Sequence, residues 1–405
     1  MAILRPFVAL RPAPGTAARV ASPPYDVVDT REARAIAKTG EASFLFVSRP
    51  EIALPEGTDE HSDAAYAQGK TALDGLVAKG ELVRSPGARL FLYAQTMGSH
   101  RQVGVVACAS VAEYDDDAIK KHEKTRPDKE DDRTRHIDEL GAHDEPVFLT
   151  YRADAAIDAI VARVAAGAAD EDFTTSDGVR HETWTLTEAD STALATAFTR
   201  VPALYVADGH HRSAAASRVH AKRRGQPGEH DTFLAVVFPH DRMQILAYNR
   251  VVRDREGRSP EALLAALRER FDLVPALSPA PPGPRRFGMY LGGAWWTATP
   301  KTLPGASDPV ASLDCSICQD QILSPIFGIT DPRTDENVAF VGGIRGAAEL
   351  VRRVEEGPFA LAIHLHPTSI VELLAVSDAG LLMPPKSTWF EPKLRSGLFV
   401  HAFAG

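Results

Sequence analysis

Cysteine is scarce in this 405-residue chain, which carries only Cys108, Cys315 and Cys318. That excludes a disulfide-framed secreted fold and fits a reducing compartment. Cys315 and Cys318 form a lone C-x-x-C, and no second pair or spaced histidine pair completes a zinc set. Packing is therefore expected of both thiols. No apolar run approaches the ~18 residues of a membrane span, and the opening Met-Ala-Ile-Leu-Arg-Pro contains no leader core. A soluble, cytoplasmic protein without a membrane partner is expected. Positive charge is not in surplus either: the formal net charge is −9, so no basic surface advertises nucleic acid. A small anionic ligand needs only a few local cations and stays compatible with that balance. Neither a Walker A motif nor a G-x-G-x-x-G fingerprint occurs, and Gly342-Gly343 is only a lone glycine pair. Any phosphate chemistry must use another architecture.

What is present is ordinary globular usage, 44% apolar and 24% charged, with length for two or three domains. Leu277–Arg286, with four prolines, reads as a linker, and a weaker boundary lies near residue 100, beside a Gly-Ser-His turn. The expected division is 1–100, 101–276 and 277–405. Strand patterns occur at Leu90–Gln95, Val103–Val111, Thr183–Leu186, Ala203–Ala207, Thr232–Phe238, Gln244–Val252, Phe287–Leu291, Val338–Val341 and Ala360–Leu365. Helical periodicity marks Asp154–Ala166, Glu188–Thr199, His211–Lys222, Ser259–Phe271 and Ala347–Glu356. Strands and helices intermix throughout, so the fold class is α/β, or α+β with mixed sheets.

The densest chemistry lies in Val201–Ala216, V-P-A-L-Y-V-A-D-G-H-H-R-S-A-A-A. A short apolar strand ends at Asp208, Gly209 permits a tight turn, and an Ala-rich helix follows. Such a junction gathers free backbone N–H groups and the positive end of a helix dipole, which together attract anions. His210, His211 and Arg212 add side-chain donors, and Arg212 can grip phosphate oxygens bidentately. Asp208 stands where a Mg²⁺ ligand or a general base is useful. Asp-Gly is also a common turn signal, but a turn needs neither two histidines nor an arginine after it.

Two further segments qualify. Ile119–Ile137, I-K-K-H-E-K-T-R-P-D-K-E-D-D-R-T-R-H-I, has nearly cancelling charges. Thr125 with Pro127 and Asp128 predicts an N-cap and helix start. Lys129, Arg133 and His136 then share one face, with Asp132 beside them. His122 and Glu123 precede the cap as acid–base candidates, near Lys124. A solvated helix laced with ion pairs is the plainer alternative. Met383–Val400, M-P-P-K-S-T-W-F-E-P-K-L-R-S-G-L-F-V, is stiffened by three prolines and carries Lys386, Lys393 and Arg395 beside Trp389 and Phe390. It reads either as a loop closing over an anion or as an aromatic plug with solvated cations. Ser22-Pro23-Pro24-Tyr25-Asp26 reads as a rigid loop, and Asn249-Arg250 as a strand end pointing at a ligand.

The ordered set S-P-P-Y-D-V, I-K-K-H-E-K-T-R-P-D-K-E-D-D-R, L-Y-V-A-D-G-H-H-R, Y-N-R-V-V and M-P-P-K-S-T-W-F-E-P-K-L-R-S-G-L resembles the large bacterial family labelled domain of unknown function 1015, from about Arg5 to His401. The family is linked to SerK-like free serine kinases, and D-G-H-H-R is similar to the phosphate-binding box of the ParB/sulfiredoxin fold. The resemblance implies a ParB/sulfiredoxin-like catalytic core with additional N- and C-terminal α/β regions. It also implies transfer of a phosphoryl group from ATP or ADP to free L-serine. Carried over by motif, Asp208 helps bind Mg²⁺ while Gly209, His210, His211 and Arg212 cradle phosphates.

Residue type and position extend these roles as expectations. Glu123, or otherwise Asp208, accepts the serine hydroxyl proton. His122, Lys124, Thr125, Lys129 and Arg133 fall on the nucleotide side. Tyr25, Asn249, Arg250, Lys386, Ser387, Thr388, Lys393 and Arg395 fall on the substrate side, where the serine carboxylate needs a cation. Nucleotide and serine are the expected partners, nucleic acid is not, and a homodimer is left open. Two rivals stand beside this reading: a metal-dependent phosphohydrolase built on Asp208, His210, His211 and His122, and a nucleotide-binding regulator without turnover.

Overall fold

Thr232–Pro239, T-F-L-A-V-V-F-P, offers no polar face, as befits a strand covered on both sides. The computed structural model describes residues 2–38, 42–305 and 307–404. In it this strand lies inside the largest sheet with every residue buried, at roughly 1.5–3 kcal/mol for each large apolar side chain. Strand order across that sheet is Ile119–Lys120, Leu204–Asp208, Val147–Tyr151, Thr232–Pro239, His100–Ser110, Phe91–Met97, Arg180–Thr185 and Glu171–Thr174. Leu4–Arg5 also pairs with His100–Ser110. Leu204–Asp208 runs parallel to Ile119–Lys120 but antiparallel to Val147–Tyr151, so the sheet is mixed and the class is α/β as expected.

The chain divides into two compact units, residues 1–243 with 392–405, and residues 244–391. In the first, Ile157 and Leu194 from the helices Ala155–Ala165 and Glu188–Phe198 share a core with Leu92, Val105, Leu149, Val206 and Val237. A second sheet, Leu82–Arg84, Ala9–Pro12, Val400–Ala402 and Ala142–His143, packs Leu10, Leu82 and Val400 with Leu73 and Leu76 of the helix Asp63–Ala78. Ser62 caps that helix by accepting from the Ala65 amide. The second unit holds the antiparallel order Phe271–Pro275, Ala294–Pro300, Phe287–Leu291, Leu361–His364, Tyr248–Val252 and Val338–Gly342. Val251, Tyr290, Val341 and Ala362 pack there with Leu350 of the helix Gly346–Glu355.

Several expectations need correction. Residue 100 lies at the tip of a hairpin, where Met97 pairs with His100 and Phe91 with Val106, so the sheet runs unbroken across that position. Leu277–Arg286 joins Phe271–Pro275 to Phe287–Leu291 within one sheet rather than separating two regions. Prolines suit that connection because it carries no ladder. Gln244–Val252 is two strands, Gln244–Leu246 and Tyr248–Val252, and they belong to different sheets. The N-cap of the helix Pro127–Leu140 is Arg126, without a side-chain cap, because Thr125 turns its hydroxyl to the Glu130 carboxylate instead.

Candidate functional site

Strand direction assembles the site. Leu204 pairs with Ile119 and Tyr205 with Lys120 in parallel, so the chain leaving Lys120 travels toward Asp208. His122 and Glu123 arrive there. Val147–Tyr151 is antiparallel, so its beginning lies at the same end: Phe148 pairs opposite Asp208, which brings Glu145 and Pro146 alongside. The register slips between Val206 and Asp208, and Gly209 then takes φ +91°, a conformation that side chains disfavour. A Cβ at Gly209 would also meet the Arg212 Nε at 3.0 Å.

The helix His210–Lys222 starts with no side-chain cap and no acid in its first turn. Basic residues at the positive end of a helix are unfavourable unless negative charge answers them. Asp208 answers first: its Oδ2 lies 3.3 Å from Lys393 Nζ and 3.6 Å from Arg212 Nη2. Burial alone would raise the Asp208 carboxyl, but Lys393, and after it Arg212, hold it well below the usual carboxylate range. Arg212 is buried and also donates to the Pro146 carbonyl.

Two imidazoles meet at this junction. His122 and His210 are buried, with ring centroids 4.5 Å apart and planes at 90°. Both ring nitrogens of His122, and Nε2 of His210, lack a hydrogen-bond partner among the described residues. The backbone of Val206 lies beside His122 and opposes the effect of burial on that ring. Burial pushes His122 down to about 4 and His210 well below its ordinary value, so both rings are neutral near pH 7. The partly exposed Glu123 completes a cluster whose nitrogen and oxygen ligand atoms lie within 4.8 Å of one another. His211 accepts from the Arg126 amide at 3.1 Å and so ties the helix to the same segment.

Of the remaining candidates, Tyr25 and Arg133 come together: the guanidinium lies 4.0 Å from the ring centroid, and Asp132 pairs with Arg133 at 2.8 Å. Lys129 lines a cavity with Tyr25, Arg133 and His136. The shared face of Lys129, Arg133 and His136 is therefore structural fact, although the segment is ion-paired as much as open. Lys124 is exposed. Arg395 is engaged by Asp177 and Thr175, and its Nε lies 3.4 Å from His181 Nε2. Asn249, Arg250, Lys386, Ser387 and Thr388 belong to the second unit. There Arg250 donates to the carbonyls of Tyr248 and Lys386, Asn249 accepts from the Leu365 amide at 3.1 Å, and Ser387 donates to Pro384 at 2.6 Å. Cys315 lies 3.0 Å from the Ser387 hydroxyl; Cys318 is buried, and burial pushes its thiol up to about 12.

Glu145 was not anticipated. Its Oε1 accepts from the Tyr25 amide at 3.0 Å and from Ser396 at 2.7 Å, and its Oε2 has no hydrogen-bond partner among the described residues. Burial pushes it up to about 7 against the lowering effect of Arg212, with Asp144 and Asp26 adding to the rise. Asp144 in turn binds His136 at 3.1 Å. The run H-D-E-P immediately before the apolar V-F-L-T-Y was the available signal: acids placed against a buried strand must be paired or protonated.

A family model described as "Protein of unknown function (DUF1015)" matches residues 4–316. No curated protein matches the sequence. Similar solved structures include a conserved hypothetical protein from Pyrococcus furiosus, at 12% identity and TM-score 0.37, covering 74% of this chain and 95% of that one. Free serine kinase in complex with AMP gives 12% identity and TM-score 0.37, over 73% of this chain and 92% of that one. SbnI with a C-terminal truncation, from Staphylococcus aureus, gives 13% and 0.38, over 73% and 87%. No described helix is long and apolar enough to cross a membrane.

Proposed function

The chain belongs to the DUF1015 family, and from that premise we propose that it is a cytoplasmic phosphotransferase moving a phosphoryl group from ATP or ADP to free L-serine. The observation that carries this reading is the junction at Asp208: an uncapped helix start, a carboxylate held ionised, and Lys393 and Arg212 within 3.6 Å of it. Phosphoryl transfer asks mainly for positioning and charge neutralisation, and this junction offers both.

The donor set fits a hard cation in one respect: Asp208 stays charged, as a Mg²⁺ ligand must. Mg²⁺ bound there would neutralise phosphate oxygens and orient the transferred group. Arg212 and the first amides of the helix His210–Lys222 would hold the donor phosphates, with His210 and His211 alongside. The serine oxygen attacks phosphorus, the bond to the departing nucleotide oxygen breaks, and the hydroxyl proton passes to a carboxylate. Glu123 is the assigned acceptor, since Asp208 is too weakly basic next to two cations. Lys393, in the same unit, is the assigned cation for the serine carboxylate.

The test is incubation with L-serine, Mg²⁺ and, in turn, ATP, ADP or pyrophosphate, followed by ³¹P NMR. O-Phosphoserine is the expected product. Its absence with every donor overturns the proposal. Phosphate released without serine would identify a hydrolase instead, and stoichiometric nucleotide binding without turnover a regulator.

A further inference from the structure

The pair of buried imidazoles is not needed for charge neutralisation, and placing His210 beside the donor phosphates leaves its edge-to-face pairing with His122 unexplained. An unmade hydrogen bond on a buried polar atom is costly, so an unpartnered nitrogen on each of two adjoining rings calls for a partner. We propose that His122, Glu123 and His210 form a binding site for one divalent transition-metal ion of the zinc class, distinct from the magnesium ligand Asp208.

The donor set selects the ion. Two imidazole nitrogens and a carboxylate oxygen suit Zn²⁺, Mn²⁺ or Fe²⁺, whereas Mg²⁺ favours oxygen donors. The spacing is compatible: ligands about 2.0–2.1 Å from a tetrahedral ion stand roughly 3.3 Å from one another. The three ligand atoms here already lie within 4.8 Å, before any closure around an ion. The two rings stand edge to face at 90°, so they do not stack across the space between them. The scaffold is firm. His210 opens a 13-residue helix, and His122 is delivered by the parallel pairing of Ile119 and Lys120 with Leu204 and Tyr205. Glu123 is partly exposed and gives the ion a route from solvent, while the imidazoles are shielded. Three protein ligands leave a fourth position for water or an anion oxygen, the arrangement of catalytic rather than structural zinc sites.

Occupancy has one consequence that rests on the kinase reading. A Glu123 carboxylate that coordinates a metal cannot also take a proton from serine, so the ion would suppress transfer rather than support it.

The test begins with the purified, metal-stripped full chain titrated with Co²⁺, whose tetrahedral complexes absorb strongly in the visible. One equivalent is expected to bind and to be displaced by Zn²⁺. X-ray absorption on the Zn²⁺ form is expected to show two imidazoles and no sulfur. His122→Ala and His210→Ala are each expected to weaken binding at least ~100-fold, and Glu123→Gln at least ~10-fold, with the fold checked by circular dichroism. The absorption measurement needs no variant and so stands even where a substitution fails to fold. Binding below one equivalent, one imidazole only, or sulfur in the coordination shell from Cys315 or Cys318 overturns the site. Cobalt binding needs no turnover, so it separates failure of this site from failure of the kinase reading.

Discussion

Two regions of this protein looked alike as strings of residues and differ as structures. Asp208–Arg212 and Lys386–Thr388 with Asn249-Arg250 are both polar motifs set among apolar strands. At the first, side chains answer side chains: Asp208 faces Lys393 and Arg212, and His122 faces His210. At the second, side chains answer mainly backbone: Arg250 holds the Tyr248 and Lys386 carbonyls, Asn249 the Leu365 amide, Ser387 the Pro384 carbonyl. Side chains that satisfy backbone are committed to shape. Charges gathered around one another at an uncapped helix start can be rearranged by an incoming anion. On the proposed reading the chemistry belongs to the first unit, and the second region serves shape.

The largest expected effect tests the first half of that contrast. Asp208→Asn keeps the size of the side chain but removes the charge that Lys393 and Arg212 surround. Phosphoserine formation is expected to fall roughly a thousandfold, about 4 kcal/mol of barrier. A discontinuous enzyme assay beside a urea melt reads both activity and fold. Full activity would show that the charged junction serves shape alone.

Arg250→Ala tests the other half. Arg250 is buried, lies 5.1 Å from the Phe340 ring centroid and serves two carbonyls. Its loss should destabilise the protein by roughly 3 kcal/mol, from lost contacts and orphaned acceptors. Thermal and urea unfolding measure this. Unchanged stability with a raised KM for serine would instead make Arg250 the substrate cation and erase the distinction between the regions.

How far this contrast was legible beforehand differs with the physics involved. Local signals read well. Phe287–Leu291 was bounded as it stands, and the helix Glu188–Phe198 missed by one residue, because apolar periodicity and caps are properties of adjacent residues. The D-G-H-H-R junction was legible as strand, turn and helix for the same reason. Pairing was not. Gln244–Val252 looks continuous because the switch of sheet at Ala247 depends on strands more than a hundred residues away. The helix Asp63–Ala78 was hidden by Gly69 and Gly75, which interrupt its apolar stripe. Glu145 needed the antiparallel neighbour of Leu204–Asp208 to be known before its burial had meaning.

A smaller effect sharpens the geometry of the first region. At Gly209 the backbone has φ +91°, and a Cβ would stand 3.0 Å from the Arg212 Nε and 3.1 Å from its Cζ. Gly209→Ala should cost about 2 kcal/mol through backbone strain and displace the guanidinium. Urea denaturation is expected to show the loss, and nucleotide KM to rise with it. Gly257, at φ +61° with nothing within 4 Å of its Cβ position, supplies the control from the second unit. Gly257→Ala meets backbone strain alone and should raise no KM.

The finest distinction is whether the first region keeps an unneutralised acid under its cations, and pH reads it. Burial moves Glu145 from the ordinary 4.5 to about 7, despite Arg212 nearby. A raised folded-state value means that the native protein keeps a proton that the unfolded chain releases. Stability from this group is therefore greatest at acid pH, declines as pH rises from about 4.5 through about 7, and is level beyond. Glu145→Gln keeps an oxygen to accept from Tyr25 and Ser396 and removes the titration. Between pH 5 and pH 8 the wild type should lose roughly 2 kcal/mol more stability than the variant, measured by urea denaturation at each pH. The sign is the discriminating part. Were Glu145 instead ionised as the partner of Arg212, its value would be depressed, the wild type would lose stability relative to the variant as pH falls below about 4.5, and Arg212 would be neutralised before any phosphate arrived. A protonated Glu145 removes one of the negative charges around Arg212 and leaves more of its charge to an incoming anion, which is what an anion-binding junction requires.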